Sequence, residues 1–285
     1  MFHRIFIAFN YLPMEEKVKK EPVTASLIFA AGKGSRMKGY SGNKTLLPLI
    51  AHGSPYEGSR PILLHIIDHL PSGPKALVLN YRKEDLIRAT ASLGLDYYEQ
   101  PLLDGTGGAL IASREFILHR EYDRLLITMG DVPFVRTSTY DRLLKTLDNN
   151  HMAVLGFRPA DKREYGVLDI RKSRVTGIIE WKYWSEYPAH KQEALDICNS
   201  GIYALRRDDV IKYLDILKNR PHTVLKERKG TMTQVREYFI TDMVELMHGD
   251  GLRIGYVTAD DEDEVMGVDD RESLIKAQDI FQRYA

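Results

Sequence analysis

Short apolar runs alternate with amphipathic stretches through the first half of the chain. The runs Ser26–Ala30, Lys75–Leu79, Asp96–Glu99 and Arg124–Thr128 read as strands, and Pro61–His69, Lys83–Leu93, Gly107–Phe116 and Ser138–Leu147 as the helices between them. Such alternation predicts βαβ units around a mostly parallel sheet flanked by helices, an α/β fold. From Met152 the rhythm changes to short strands: Met152–Phe157, Gly166–Ile170, Val175–Trp181 and Ile197–Ala204. Helices are expected again at Arg207–Leu217, Thr241–His248 and Arg271–Phe281, with Arg253–Thr258 extended. This predicts an extension over residues 1–22 and one domain over 23–285, with a strand-rich lobe above the sheet edge. Gly or Asp follows several strands, so functional loops should gather at the carboxyl edge of the sheet.

Composition narrows the classes. Lys plus Arg and Asp plus Glu balance at 40 each in 285 residues, and no basic tract points to a nucleic-acid partner. The lone Cys198 allows no internal disulfide and reads as a packed side chain, which suits a reducing, cytoplasmic setting. No apolar run approaches the ~20 residues of a membrane helix. The opening MFHRIFIAFNYLP lacks a signal-peptide core and is expected to be dispensable. None of the nine histidines is assigned a ligand role.

Candidate chemistry concentrates in Ser26–Leu47, SLIFAAGKGSRMKGYSGNKTLL, where an apolar strand empties into a glycine-rich loop carrying Arg36 and then Lys44. Glycines let backbone amides approach an anion, and the two cations can neutralise phosphate charge. Met37 stands where a dinucleotide fingerprint needs its third glycine, and Gly34-Ser35-Arg36 is not the Gly-Lys-Ser/Thr of a P-loop. A nucleoside-triphosphate loop of another kind is expected.

Further along, a strand ends at Gln100, whose amide can read a base edge, and Gly105-Thr106-Gly107 opens a helix whose amides favour an acceptor or anion. Thr106 could equally be a plain helix cap. Gly130-Asp131 ends the next strand, where a carboxylate could hold Mg²⁺ or simply cap a turn. Asp269 is the candidate second carboxylate, with Asp270 as the N-cap of the last helix. The acidic run Asp260–Glu264 reads as a solvated loop. Glu180 and Asn199 can hydrogen-bond sugar hydroxyls, and Gly166 would permit close approach of a ligand. Trp181 and Trp184 read as packing residues.

In order, these segments resemble the sugar-1-phosphate nucleotidylyltransferase family, closest to the uridylyltransferase domain of bacterial N-acetylglucosamine-1-phosphate uridylyltransferases, from about Ala25 to Phe281. The resemblance implies a Rossmann-like nucleotide-diphospho-sugar transferase fold with a sugar-binding lobe. It implies nucleotide contacts from Ala30, Ala31, Gly32, Gly34, Gln100, Gly105 and Thr106, and catalytic roles for Arg36 and Lys44. Gly130, Gly166, Glu180 and Asn199 match positions around the sugar, and Asp131 and Asp269 match the two Mg²⁺ ligands. REYFITDMVEL also resembles a family segment. Three departures stand out. Asn43, not Pro, precedes Lys44, which makes Lys33 and Lys38 its understudies; Asp269 replaces an Asn; and Gly107-Gly108 replaces a more substituted helix start. The family's hexapeptide-repeat acetyltransferase region is absent from this sequence, so no acetyltransferase activity is expected.

The expected reaction is Mg²⁺-dependent nucleotidyl transfer from UTP to a hexose or amino-sugar 1-phosphate, N-acetylglucosamine 1-phosphate first among them. Alternatives are cytidylyl transfer to a polyol or choline-type phosphate, and a non-catalytic nucleotide-sugar-binding regulatory subunit. A homodimer is compatible with the architecture.

Overall fold

The computed structural model describes residues 21–228 and 231–284, so all but the last two residues of the expected extension lie outside the described chain. In chain order the strands are β1 (Thr24–Phe29), β2 (Pro48–His52), β3 (Ser54–Pro61), β4 (Lys75–Leu79), β5 (Asp96–Glu99), β6 (Arg124–Met129) and β7 (Met152–Phe157). They continue as β8 (Val167–Arg171), β9 (Arg174–Ile179), β10 (Cys198–Arg206), β11 (His222–Arg228), β12 (Thr231–Glu237) and β13 (Ile254–Thr258). The helices of the first half are α1 (Ile62–His69), α2 (Lys83–Thr90), α3 (Thr106–Ala112), α4 (Arg114–His119) and α5 (Thr137–Thr146). Those of the second half are α6 (Trp181–Trp184), α7 (Ala189–Ala194), α8 (Arg207–Lys218), α9 (Asp242–Gly249) and α10 (Arg271–Tyr284).

The central sheet runs β13-β7-β10-β6-β1-β4-β5, with β8 and β9 attached beside β10. Every neighbouring pair along that path is parallel except those made by β10, which lies antiparallel to both β6 and β7. The mostly parallel α/β sheet expected from the alternation is therefore present. In the strand-rich second half β7, β10 and β13 continue this sheet, β8 and β9 stand off its main path, and β11 and β12 form a separate antiparallel pair.

Period-two alternation explains the two-sided core. Leu27 and Phe29 of β1 join Val78, Leu125, Ile127 and Tyr203 on one face. Ile28 and Ala30 join Leu77, Leu79, Leu126 and the inner side of α1 on the other. Strand ends on a buried sheet must emerge at its rim, and parallel strands put the loops after β1, β4, β5, β6, β7 and β13 on one rim. Asp131 and the segment leading to Asp269 both leave from that rim. Among the described residues, no helix is long and apolar enough to cross a membrane.

Candidate active site

The loop after β1 is anchored by Met37, which is buried in the core, and by the hydrogen bond from Ala30 N–H to Val78 O at 2.8 Å. Gly34 adopts φ +61°, and a Cβ there would sit 3.1 Å from the Lys44 side chain. The glycine thus leaves room for Lys44 to pass beneath the loop. Lys44 opens a short 3-10 turn whose cap is Asn43: Asn43 Oδ1 accepts from Thr45 N–H at 3.0 Å, and its Nδ2 donates to Tyr81 O at 2.8 Å. That accounts for Asn before the lysine, because its amide ties the turn to the loop after β4.

Lys44 Nζ reaches both candidate metal ligands, donating to Asp131 and, at 2.7 Å, to Asp269 Oδ1. Arg36 Nη2 completes the group at 3.0 Å from Asp269 Oδ2. The understudies Lys33 and Lys38 are exposed and take no part in these ion pairs. The Lys44 side chain is 10% exposed and that of Arg36 72%, so the lysine forms the floor and the arginine the rim. Desolvation opposes the charge on Lys44, but attraction to Asp131 and Asp269 outweighs it and its pKa is raised. It therefore remains an ammonium ion throughout the neutral range. Asp270 caps α10 as expected, accepting from Ser273 N–H at 2.8 Å, and Asp269 is left facing the cations.

Because one ammonium touches both carboxylates, their oxygens face a common point. Two hard oxygen donors suit Mg²⁺, which binds through one or two carboxylates together with substrate phosphates and water. Among the described residues, no three His, Cys, Asp or Glu side chains converge on a metal position. The pair thus fits an ion shared with substrate, not one caged by protein alone.

At the end of β5, Gln100 is 4% exposed, and its Nε2 donates to Asp104 Oδ1 at 2.8 Å and to Gly105 O at 2.9 Å. Two acceptors on one side orient the amide and turn Oε1 away from them. One amide of the next turn is already spent within the protein. Gly107 N–H already donates to Tyr238 O at 2.8 Å, and Thr106 Oγ1 accepts from Ile240 N–H at 3.2 Å, so Thr106 is not a helix cap. A Cβ on Gly107 would lie 2.7 Å from the Tyr238 carbonyl carbon, and one on Gly108 1.9 Å from Asp104 Oδ1. Gly107 is thus explained by close packing of the Tyr238–Ile240 strap, which belongs to the REYFITD segment, and Gly108 by the side chains of Asp104 and Gln100.

The sugar-side candidates also meet. Asn199 N–H donates to Gly166 O at 2.8 Å, and a Cβ on Gly166 would lie 3.4 Å from Glu180 Oε2. Asn199 spends its amide locally, with Nδ2 donating to Tyr203 Oη at 2.8 Å and Oδ1 accepting from Gly201 N–H at 3.1 Å, at an irregularity in β10. Desolvation pushes the Glu180 carboxyl up, and Thr241 Oγ1 stands 3.5 Å from Glu180 Oε1. Gly130 packs directly on the first loop, its N–H donating to Phe29 O at 2.9 Å. Trp184 is buried and donates to Tyr165 O at 2.8 Å, whereas Trp181 is exposed.

Two contributors were not legible in the pattern. Tyr165, next to Gly166, lies close enough to feel the charges of Asp269 and Arg36, while burial raises its pKa first. Its adjacency to Gly166 was the available signal. Glu264 was read as part of a solvated acidic run, yet it is buried. Its position immediately before Val265 was the signal, since a buried apolar neighbour brings a short turn inward.

Residues 26–210 match the MobA-like NTP transferase domain family. The chain is 31% identical over 263 residues to the bifunctional protein GlmU of Brucella canis, covering 90% of this chain and 52% of that protein. It is 31% identical over 265 residues to the GlmU of Novosphingobium aromaticivorans, covering 91% of this chain and 53% of that protein. It thus spans about half the length of these curated relatives. Among solved structures, the uridine diphosphate N-acetylglucosamine pyrophosphorylase of Trypanosoma brucei, in complex with inhibitor, aligns with a TM-score of 0.70. It does so at 11% identity over 90% of this chain and 65% of that one. HddC from Yersinia pseudotuberculosis, complexed with GMP-PN, aligns with a TM-score of 0.59 at 17% identity, over 90% of this chain and 99% of that one. At those identities the likeness shows the fold.

Proposed function

The chain belongs to the MobA-like NTP transferase family, and from that premise we propose that it moves a nucleotidyl group from a nucleoside triphosphate to a sugar 1-phosphate. A phosphate oxygen of the sugar 1-phosphate bonds to the α-phosphorus, the bond from that phosphorus to the β-phosphate bridge breaks, and pyrophosphate leaves. The observation that carries this reading is the meeting of Arg36, Lys44, Asp131 and Asp269 at one point on the carboxyl rim. UTP and an amino-sugar or hexose 1-phosphate are the favoured pair, supported by similarity to GlmU.

The nucleophile is already an anion, so no general base is required, and the task is to hold repelling anions in line. Asp131 and Asp269 would hold Mg²⁺, which when bound neutralises charge between the α-phosphate and the incoming phosphate. Arg36, exposed at the rim, would stabilise the departing pyrophosphate. Lys44, kept cationic by its two carboxylates, would stabilise the phosphate undergoing transfer. Gln100 would offer Oε1 as an acceptor for a base N–H donor, and Glu180 beside Gly166, with the second Nδ2 hydrogen of Asn199, would offer a polar wall for the sugar.

Pyrophosphate release, measured with Mg²⁺ across five nucleoside triphosphates and a panel of sugar, polyol and choline phosphates, tests the reading. A pair that turns over identifies both substrates. Asp131→Asn should then lower turnover by about a hundredfold, and near-normal Mg²⁺-dependent turnover in that variant would remove the metal assignment. Silence across the panel with nucleotide-sugar binding intact would make the protein a binding subunit.

A further inference from the structure

Glu264 is the member of the acidic run that folds inward. Asp260, Asp261 and Glu262 are exposed, whereas Glu264 is 2% exposed. Its Oε1 accepts from Arg136 N–H at 3.0 Å, and its Oε2 is enclosed without a partner among the described residues. Glu264 stands five residues before Asp269, and Arg136 five residues after Asp131. This one hydrogen bond therefore joins the two loops that carry the paired carboxylates. A second link lies closer in, where Val268 N–H donates to Asp131 O at 2.8 Å. The Lys44 ammonium makes the third, between the carboxylates themselves.

A buried carboxyl that makes one bond to a neutral backbone group is a poor source of stability, because its desolvation opposes the gain and an apolar residue would avoid it. The bond instead limits how far the two loops can separate across the cavity of about 650 Å³ beside them. That cavity is walled by Phe134, Arg136, Glu264 and Phe281, with His65 and His69 of α1. Separation matters because a shared Mg²⁺ demands near-ideal geometry from its few protein ligands.

Resting on the metal-dependent reading above, we infer that Glu264 is a positioning residue that sets the spacing of Asp131 and Asp269 through the Arg136 amide. Supporting groups of this kind typically change metal affinity when removed, without touching the ion.

The bond can be cut from either side. Glu264→Ala removes the acceptor. Arg136→Pro removes the donor at a residue whose φ of −75° proline can adopt, and Arg136→Ala keeps the amide as the control. Mn²⁺ is titrated into each protein with the nucleotide that supports turnover, and water-proton relaxation reports the bound ion. Mn²⁺ affinity should fall about tenfold in Glu264→Ala and Arg136→Pro and stay unchanged in Arg136→Ala. kcat should follow affinity while KM for the sugar phosphate holds within about twofold, and Glu264→Gln, which retains an oxygen acceptor, should recover most of the loss. If either cut variant folds and binds Mn²⁺ as tightly as wild type, the inference fails alone. If the wild type binds no Mn²⁺, the metal reading fails and takes this one with it.

Discussion

Arg36 and Arg206 stand at opposite ends of the same sheet, each within a cluster of basic side chains and aspartates. At the carboxyl rim, the Arg36 guanidinium pairs, among the described residues, with the carboxylate of Asp269, which Lys44 also grips. At the other end, Arg206 Nη2 donates to Leu147 O at 2.7 Å and Asp148 O at 3.3 Å, while Arg124 donates through Nη1 to Leu144 O at 3.3 Å and through Nη2 to the Asp148 carboxylate at 2.7 Å. Arg207 Nη2 donates to Leu118 O at 2.9 Å, with its guanidinium over the Tyr122 ring. These residues surround a cavity of about 510 Å³, and by charge alone it would pass for an anion site. The partners say otherwise. Leu147 and Leu118 lie at the ends of α5 and α4, where carbonyls lack intrahelical donors, and Leu144 O, which already accepts from Leu147 N–H at 3.1 Å, takes Arg124 as a second donor, so the rear arginines close helix termini. A cation spent on backbone carbonyls is structural; one held by exchangeable carboxylates can be handed to a substrate.

The largest expected effect separates the two ends. Arg36→Ala should lower turnover by about a hundredfold, some 3 kcal/mol of transition-state stabilisation. Its denaturation midpoint should barely move, because an exposed ion pair contributes about 0–1 kcal/mol. Arg206→Ala should do the reverse: turnover within about twofold of wild type, and stability lower by roughly 1–3 kcal/mol as the last carbonyls of α5 lose their donor. Urea denaturation beside steady-state kinetics checks both. Equal losses of activity from the two variants would erase the distinction.

A smaller effect tests whether pH acts through either charged end. His65, packed against His69, Phe134 and Phe281, has its pKa pulled down to about 4, first by desolvation and then by His69 and Arg60, with Asp68 opposing. Above about pH 6.5 it is neutral whether the chain is folded or not, and it adds no pH dependence. Below that the unfolded chain takes up the proton first, so stability declines as pH falls from about 6.5 towards 4. Because His65 is only partly buried, the decline should be about 1–2 kcal/mol after allowance for solvent screening. Denaturation of wild type and His65→Gln at pH 7 and 4.5 measures it, and an unchanged decline in the variant would assign it elsewhere.

Much of the fold was legible because the pattern is local. The bounds of β4, β5 and β7 coincide with runs read directly from the sequence. The β2–β3 hairpin escaped because Pro48–Pro61 carries three prolines and two glycines and much of it faces solvent, which leaves no clean alternation. The helix expected over Gly107–Phe116 divides at Ser113, whose side chain donates back to Leu110 O at 2.8 Å and competes with the regular ladder. Short α6 and α7 escaped because four to six residues are too few to show a period.

The candidate site divides in the same way. Legible along the chain were a glycine-rich loop before Lys44, an aspartate after β6, and Asp270 capping α10 so that Asp269 is left free; Asn43 read only as a departure, and its capping of the Lys44 turn came from the structure. These depend on neighbours within a few residues, where backbone geometry leaves few choices. Long-range packing is what puts Lys44, not Lys33 or Lys38, between Asp131 and Asp269, which are 87 and 225 residues away along the chain. It alone took Gly107's amide for Tyr238 and drew Glu264 out of an acidic run. Those outcomes depend on sheet order, which sets β6 beside β1 and returns the chain through β13 to the same rim, and distance along a sequence carries no record of that order.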